Sequence, residues 1–280
     1  MIDILAEIFV SALEQGLILA VLALGMSIPF RLLNFPDLTA EGSYALGGCV
    51  YATLIFFDIS IIPALLIAGF CSGFAGISTS FIYNKYKINS LLAGIIISTM
   101  IYSINLRVMG KPNMTLPSSH HFADFLIYIP YGNIMLIAAI NCLLMAGLLL
   151  FLRTEKGLQL RAVGLNNHFA SKQGININYY NYLGLFLGNL LAGLSGILFV
   201  YTNHYSDVSM NFGIIIQGLA AMMIGEKIIG TNSLVKIVSA PLIGALLYQQ
   251  IQSLALLIGF APSDLKFVTG FILLITIALR

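Results

Sequence analysis

An all-α bundle of membrane-crossing helices is the fold this sequence predicts, and three observations predict it. Of 280 residues, 59% are hydrophobic and 9% are charged, whereas a soluble domain carries roughly a quarter charged residues. Apolar runs recur from end to end, and about 20 such residues take a helix across the hydrocarbon core. Those runs are continuous, as over 134–152. They lack the alternation of a barrel strand, the other structure that satisfies its backbone in lipid. The chain therefore reads as one polytopic transmembrane domain, 1–280.

Taken in order, the segments fall at 8–30, 41–57, 61–83, 89–108, 132–152, 181–201, 213–226, 237–258 and 264–279, about nine spans within a range of eight to ten. Ahead of the first stand Asp3 and Glu7 with no basic residue, so the positive start of a cleavable signal is missing and the amino terminus reads as retained. The longest polar connection, 153–181, holds Arg153, Lys156, Arg161 and Lys172 against one acid, Glu155. The positive-inside rule makes it cytoplasmic. Alternation from that loop puts Arg31, Lys85, Lys87, Lys227, Lys236 and Arg280 on the same side, ten basic residues in all. Arg107, Lys111 and Lys266 remain outside, and the amino terminus faces out. The connection 109–131, with Pro112, Pro117, His120 and His121, is then external. Asp124 is its one acid and it has no cysteine, so a solvated loop explains it better than a metal site. Cys49, Cys71 and Cys142 all lie inside apolar runs and read as packing residues.

Lipid supplies no hydrophobic force between helices, so small residues let backbones meet. Gly184, Gly188, Ala192 and Gly196 recur every fourth position, as do Ala68, Ser72, Gly76 and Ser80. Each stripe reads as the seat of a neighbouring helix. An irregular stretch with an Asn-Phe pair accompanies each: Asn34, Phe35, Pro36 and Asp37 in one case, Asn211, Phe212 and Gly213 in the other. This is a weak internal repeat, and short interrupted segments in two halves of a chain point to a transport path. Asn34, Asp37 and Glu41 are its candidate residues. For Asp37 the favoured role is local: Asp37 or Thr39 caps the helix beginning near Glu41.

The chemistry missing from the chain narrows its function. No G-x-x-x-x-G-K-[ST] run occurs, so the chain has no P-loop of its own. Gly193, Leu194, Ser195 and Gly196 have the form of an intramembrane serine protease site. The nearest histidine, His204, however, lies about 13 Å along the same helix, beyond reach of Ser195. An ion-coupled carrier wants a deeply buried acid, and the acids in or beside apolar segments, Glu14, Asp37, Glu41, Glu226 and Asp264, all sit near segment ends. Carrier and hydrolase are the two rival readings.

Within the loop 153–181 the pattern gives a short helix, a polar link and a second short helix ended by Gly174. Its Thr154, Gly157, Leu160, Arg161, Ala162, Gly164, Asn166, Ala170, Gly174 and Ile175 resemble the ATPase-contacting loop of permease subunits of bacterial ABC importers, in the branched-chain amino-acid and ribose permease superfamily. The stretches 13–17, 33–43, 91–94, 102–107 and 109–113 resemble more narrowly its tryptophan and tyrosine permeases. The likeness implies an ATPase-coupling role for Glu155, Gly157, Arg161, Ala162, Gly164, Asn166, Ala170 and Gly174. It also implies a cytoplasmic ABC ATPase carrying ATP and magnesium, an external or lipoprotein binding protein, and a second permease copy in a homodimer. This chain would hold no cofactor and catalyse nothing itself. It would lie in the bacterial inner membrane, import a small solute such as an aromatic amino acid, and bind no nucleic acid. Such permeases are expected to continue for some residues past Arg280.

Overall fold

The computed structural model describes residues 2–116, 131–261 and 264–278. Among them are eleven α-helices: α1 Ile2–Ser27, α2 Thr39–Phe56, α3 Ile61–Tyr86, α4 Ser90–Met109, α5 Gly132–Arg153, α6 Glu155–Leu165, α7 Asn167–Lys172, α8 Ile177–Asn203, α9 Ile214–Ile229, α10 Leu234–Leu257 and α11 Leu265–Ala278. A π-helical turn, Ile28–Leu32, extends α1. Each of the nine expected segments is occupied by a helix. Six helices are long and apolar enough to cross a membrane by length and composition: Glu7–Leu32, Ile61–Tyr86, Ser90–Met109, Gly132–Arg153, Ile177–Asn203 and Leu234–Leu257. The shortfall from nine has physical causes. Helices α9 and α11 have 16 and 14 residues, about 24 and 21 Å of rise against a core of about 30 Å. Helix α2 has 18 residues but includes Thr39, Glu41, Ser43 and Thr53. It is enclosed by protein instead of being apolar all round.

Two short strands depart from the all-α expectation. β1 (Asn113–Thr115) and β2 (Tyr205–Asp207) follow α4 and α8 and pair antiparallel, Met114 opposite Ser206. The ladder is continued by Leu116 N–H donating to His204 O and Val208 N–H to Pro112 O. Once both helices end side by side, pairing satisfies backbone groups that would otherwise be orphaned. His120, His121, Pro117 and Asp124 lie outside the described residues.

The chain divides into two compact units. One comprises Met1–Leu24, Phe125–Leu149 and Gly213–Arg280. In it α9 and α10 meet through Gly225, set against the Ala240 carbonyl, and Gly244, set against the Ala221 carbonyl. Helix α5 is tied to α1 by Asn141 Nδ2, which donates to Leu17 O at 3.0 Å. Helix α11 joins α10 through Tyr248, whose hydroxyl lies 2.6 Å from both Thr269 Oγ1 and Gln252 Nε2.

The other unit, Gly25–Asp124 and Leu150–Phe212, is built around α2. Fourteen of the 18 residues of α2 are buried, as expected of a helix surrounded by others. Gly42 approaches Ser98 and Ile101 of α4, and Gly47 lies on the Gly193 backbone of α8. The small-residue stripe of α3 meets α8 on the face next to that helix's own stripe: a Cβ on Gly76 would strike the Leu185 carbonyl, and one on Gly193 would strike Ser72.

Candidate functional site

Between the π-helical turn and α2 the chain is irregular. Pro29 lies in the turn, Leu33 N–H returns to Ile28 O, and Phe35 N–H to Pro29 O. Asn34 takes the left-handed conformation at φ 51° and is exposed, a geometry asparagine tolerates better than most residues. The Phe35 ring is buried edge-on against Tyr83, 4.8 Å between centroids. Two residues on, Asp37 is wholly buried. The sequence expectation of no deeply buried acid is thus corrected, because α3 and α8 close over a segment that looks peripheral along the chain.

Asp37 is held as an acceptor. Its Oδ1 takes the Thr39 N–H at 2.8 Å and its Oδ2 takes Asn189 Nδ2 at 2.7 Å. Leu38, the residue preceding α2, makes no side-chain cap bond, so Asp37 secures the first turn from one position further out, in the manner of an Asx-turn. Asn189 then passes the interaction on: its Oδ1 accepts from Ser43 Oγ at 2.7 Å. Ser72 Oγ donates to Ser43 O at 3.1 Å, while Thr39 and Thr79 hydroxyls meet at 2.5 Å. All six of these side chains are fully buried. A fully satisfied network of this kind fixes one packing, since any register change strands a polar group.

Glu41, one turn along α2 from Asp37, is only half-buried and lines a cleft of about 350 Å³. Ser98, Thr99 and Tyr102 of α4 contribute to it, as do Asn211 and Phe212 from the stretch before α9. The two irregular stretches singled out in the sequence therefore meet at one place. Asn211 is 7% exposed and its Oδ1 has no hydrogen-bond partner. Of the three candidate path residues, the structure brings Glu41 to the cleft, buries Asp37 in the network and leaves Asn34 on the surface. Ser98, Thr99, Tyr102, Asn189 and Asn211 were not picked out as site residues. Only Asn211, in its Asn-Phe-Gly run, carried a sequence signal.

The loop 153–181 folds as α6, a link and α7. Thr154 Oγ1 accepts from Gly157 N–H and Asn166 Oδ1 from Phe169 N–H, so each short helix has a side-chain cap. Glu155 opens α6, and Gly174, at φ 77°, ends the turn after α7. Gly157 lies against Phe151 and Leu152. A Cβ on Gly164 would collide with the Leu32 carbonyl. Arg161 folds back, Nη2 donating to Leu152 O at 3.3 Å and Nε to Gly157 O at 3.4 Å, where the carbonyl end of α5 favours a cation. Ala162 is half-buried and Ala170 fully buried. Gly157, Arg161, Gly164 and Ala170 shape the loop from within. What they present outward is Leu158, Phe169 and above all Leu165, 87% exposed. Apolar side chains in the most charged loop of the chain were the available signal for that surface.

In α8, Gly184 lies under Leu33, Gly188 against Pro29 and the Gly25 carbonyl, and Gly196 against the Tyr44 carbonyl, with Ala192 fully buried between them. The stripe seats the end of α1 and the length of α2. Ser195 is wholly buried on the same helix that ends at His204, which leaves no hydrolytic pair there.

Comparison with known proteins gives four findings. Residues 8–277 match the family described as the permease component of branched-chain amino acid transport systems. The chain is 36% identical over 269 residues to the tyrosine transport system permease protein of Clostridioides difficile, covering 96% of this chain and 90% of that one. It is 35% identical over 277 residues to the protein RP368 of Rickettsia prowazekii, covering 97% of each. A solved structure of an inward-facing metal-chelate type ABC transporter superposes with a TM-score of 0.51 at 18% identity, covering 95% of this chain and 82% of that one.

Proposed function

The chain belongs to the family of permease components of branched-chain amino acid transport systems, and on that premise we propose that it is the membrane subunit of an ATP-driven importer for an amino acid with an apolar or aromatic side chain. As a member it is a multi-pass protein of the inner membrane. The observation that carries the importer reading is the α6–α7 loop, in which Gly157, Gly164 and Ala170 pack inward while Leu165 and Phe169 stand out. An exposed apolar tip on a basic loop fits a protein partner, because such side chains gain by leaving water. That partner is a cytoplasmic ABC ATPase, which supplies ATP and magnesium. A binding protein delivers the solute from outside, and two copies of this chain enclose the path. Nine crossings with the amino terminus outside belong to the same reading, α2 being enclosed by protein where its apolar run falls short. The amino-acid substrate is supported by the name of the tyrosine transport relative.

The test is reconstitution of the chain with its ATPase and binding protein in proteoliposomes, with uptake of labelled L-tyrosine as the readout. Uptake that needs both ATP and the ATPase supports the proposal. One observation favours a second reading, an ion-coupled carrier: a wholly buried acid, Asp37. Uptake by the chain alone, driven by a proton or sodium gradient, would replace the importer with that carrier.

A further inference from the structure

We propose that the cleft between α2, α4 and the stretch before α9 is a recognition site for a primary ammonium group, taken up by Glu41 together with Asn211. This rests on the importer reading and adds to it a place and a chemistry for substrate contact. At about 350 Å³ the cleft is within the range of small-molecule pockets. Two oxygen acceptors belong to its lining, the Glu41 carboxylate and the Asn211 amide. Asn211 Oδ1 is the more telling, because Asn211 is over nine-tenths buried and that atom has no partner. A buried acceptor left unmet is costly, so a donor that reaches it from the cleft gains more than one offered to a solvated acceptor. A carboxylate beside it selects a cationic donor over a neutral one. A primary ammonium has three N–H bonds, enough to serve more than one acceptor. The rest of the lining is mixed: the Ser98 and Thr99 hydroxyls lie beside the rings of Tyr102 and Phe212. An amine or α-amino acid whose side chain is apolar or aromatic matches this lining, whereas a sugar or a simple carboxylate lacks the charge.

Thiol protection tests the site separately from transport. In the assembled complex, with Cys71 and Cys142 replaced by serine, the reporter Ser98→Cys, or Tyr102→Cys as a second choice, is labelled with 2-aminoethyl methanethiosulfonate. L-tyrosine is expected to half-protect the thiol at a concentration about tenfold or more below that needed by 3-(4-hydroxyphenyl)propanoate, which lacks the ammonium. Glu41→Gln and Asn211→Ala should each remove that difference. Equal protection by the two compounds, no protection at either reporter, or a preference that survives both substitutions overturns the site. ATP-dependent uptake is measured in the same vesicles: uptake that persists without protection rejects the cleft alone, and uptake that needs no ATPase rejects the importer reading on which it rests.

Discussion

Asn189 Nδ2 donates to Asp37 Oδ2 at 2.7 Å, joining α8 to the irregular segment ahead of α2 across 152 positions of sequence. The same amide group faces both ways, since its Oδ1 accepts from Ser43. Asn189 therefore ties the Asp37 carboxylate and α2 to α8, and substitutions around it separate geometry from charge.

Asn189→Leu leaves Asp37 Oδ2 buried without that donor, a loss worth about 1–3 kcal/mol or more for an ionised acceptor. Asp37→Asn should be milder. With its oxygen in the place of Oδ2 it still accepts from Asn189 Nδ2, which keeps its bond to the Leu185 carbonyl, and only the contact with Thr39 N–H is given up. Thermal unfolding of the detergent-solubilised protein checks the order: Asn189→Leu well below Asp37→Asn, which stays close to the parent. Transport lost in Asp37→Asn at unchanged stability would show that the charge, not the fit, matters.

Gly188→Leu puts a branched side chain where Pro29 and the Gly25 carbonyl already sit. Overpacking of this sort costs about 1–3 kcal/mol. The expected result is a lower melting temperature and less folded protein, read by size-exclusion chromatography, while Gly147→Leu, at a position with nothing within 4 Å, leaves both unchanged.

Within the α6–α7 loop, interior and exterior substitutions should separate. Gly164→Ala drives a methyl group onto the Leu32 carbonyl and should loosen the loop, seen as faster proteolysis between Arg153 and Asn181. Leu165→Asp changes a side chain that is 87% exposed. Stability should hold, within about 0.5 kcal/mol for a surface site, while capture of the ATPase in a pull-down falls about tenfold or more, as for loss of a contact anchor. Normal capture by Leu165→Asp would place the docking surface elsewhere.

Arg161→Gln keeps a donor near the position of Nε but is too short to replace Nη2 and removes the cation that caps the carbonyl end of α5. The helix-end interaction is worth about 0.3–1 kcal/mol. A small loss of stability that shrinks with added salt is expected. A loss of ATPase coupling much larger than this would mean that Arg161 leaves Leu152 to engage the partner.

The nine helical segments were legible because apolar runs and basic connections are properties of composition along a line. Which helix is enclosed was not. Helix α2 is legible as short and glycine-bearing, yet its burial depends on α3, α4 and α8 arriving around it. The Gly184 stripe announced a contact through spacing alone, but nothing local told that the end of α1 and α2 would be its counterparts. For the loop, the motif residues were found and their direction was not, since a glycine needed for close approach and a glycine needed for docking look the same in a sequence. Asn189 and Ser98 escaped notice because single polar residues in apolar helices acquire meaning only from what faces them.

Asp37 and Asn189 also set a timetable. Ribosomes add about 5–20 residues per second, so the 152 positions separating the pair correspond to between about 8 and 30 s in which the acid has been synthesised and its donor has not. Over that interval the segment 33–38 has no reason to leave water, and the amino-terminal helices wait, incompletely docked, for α8 to emerge. Chains interrupted before Tyr180 should accordingly be prime substrates for membrane quality-control proteases, and those released after Thr202 much poorer ones.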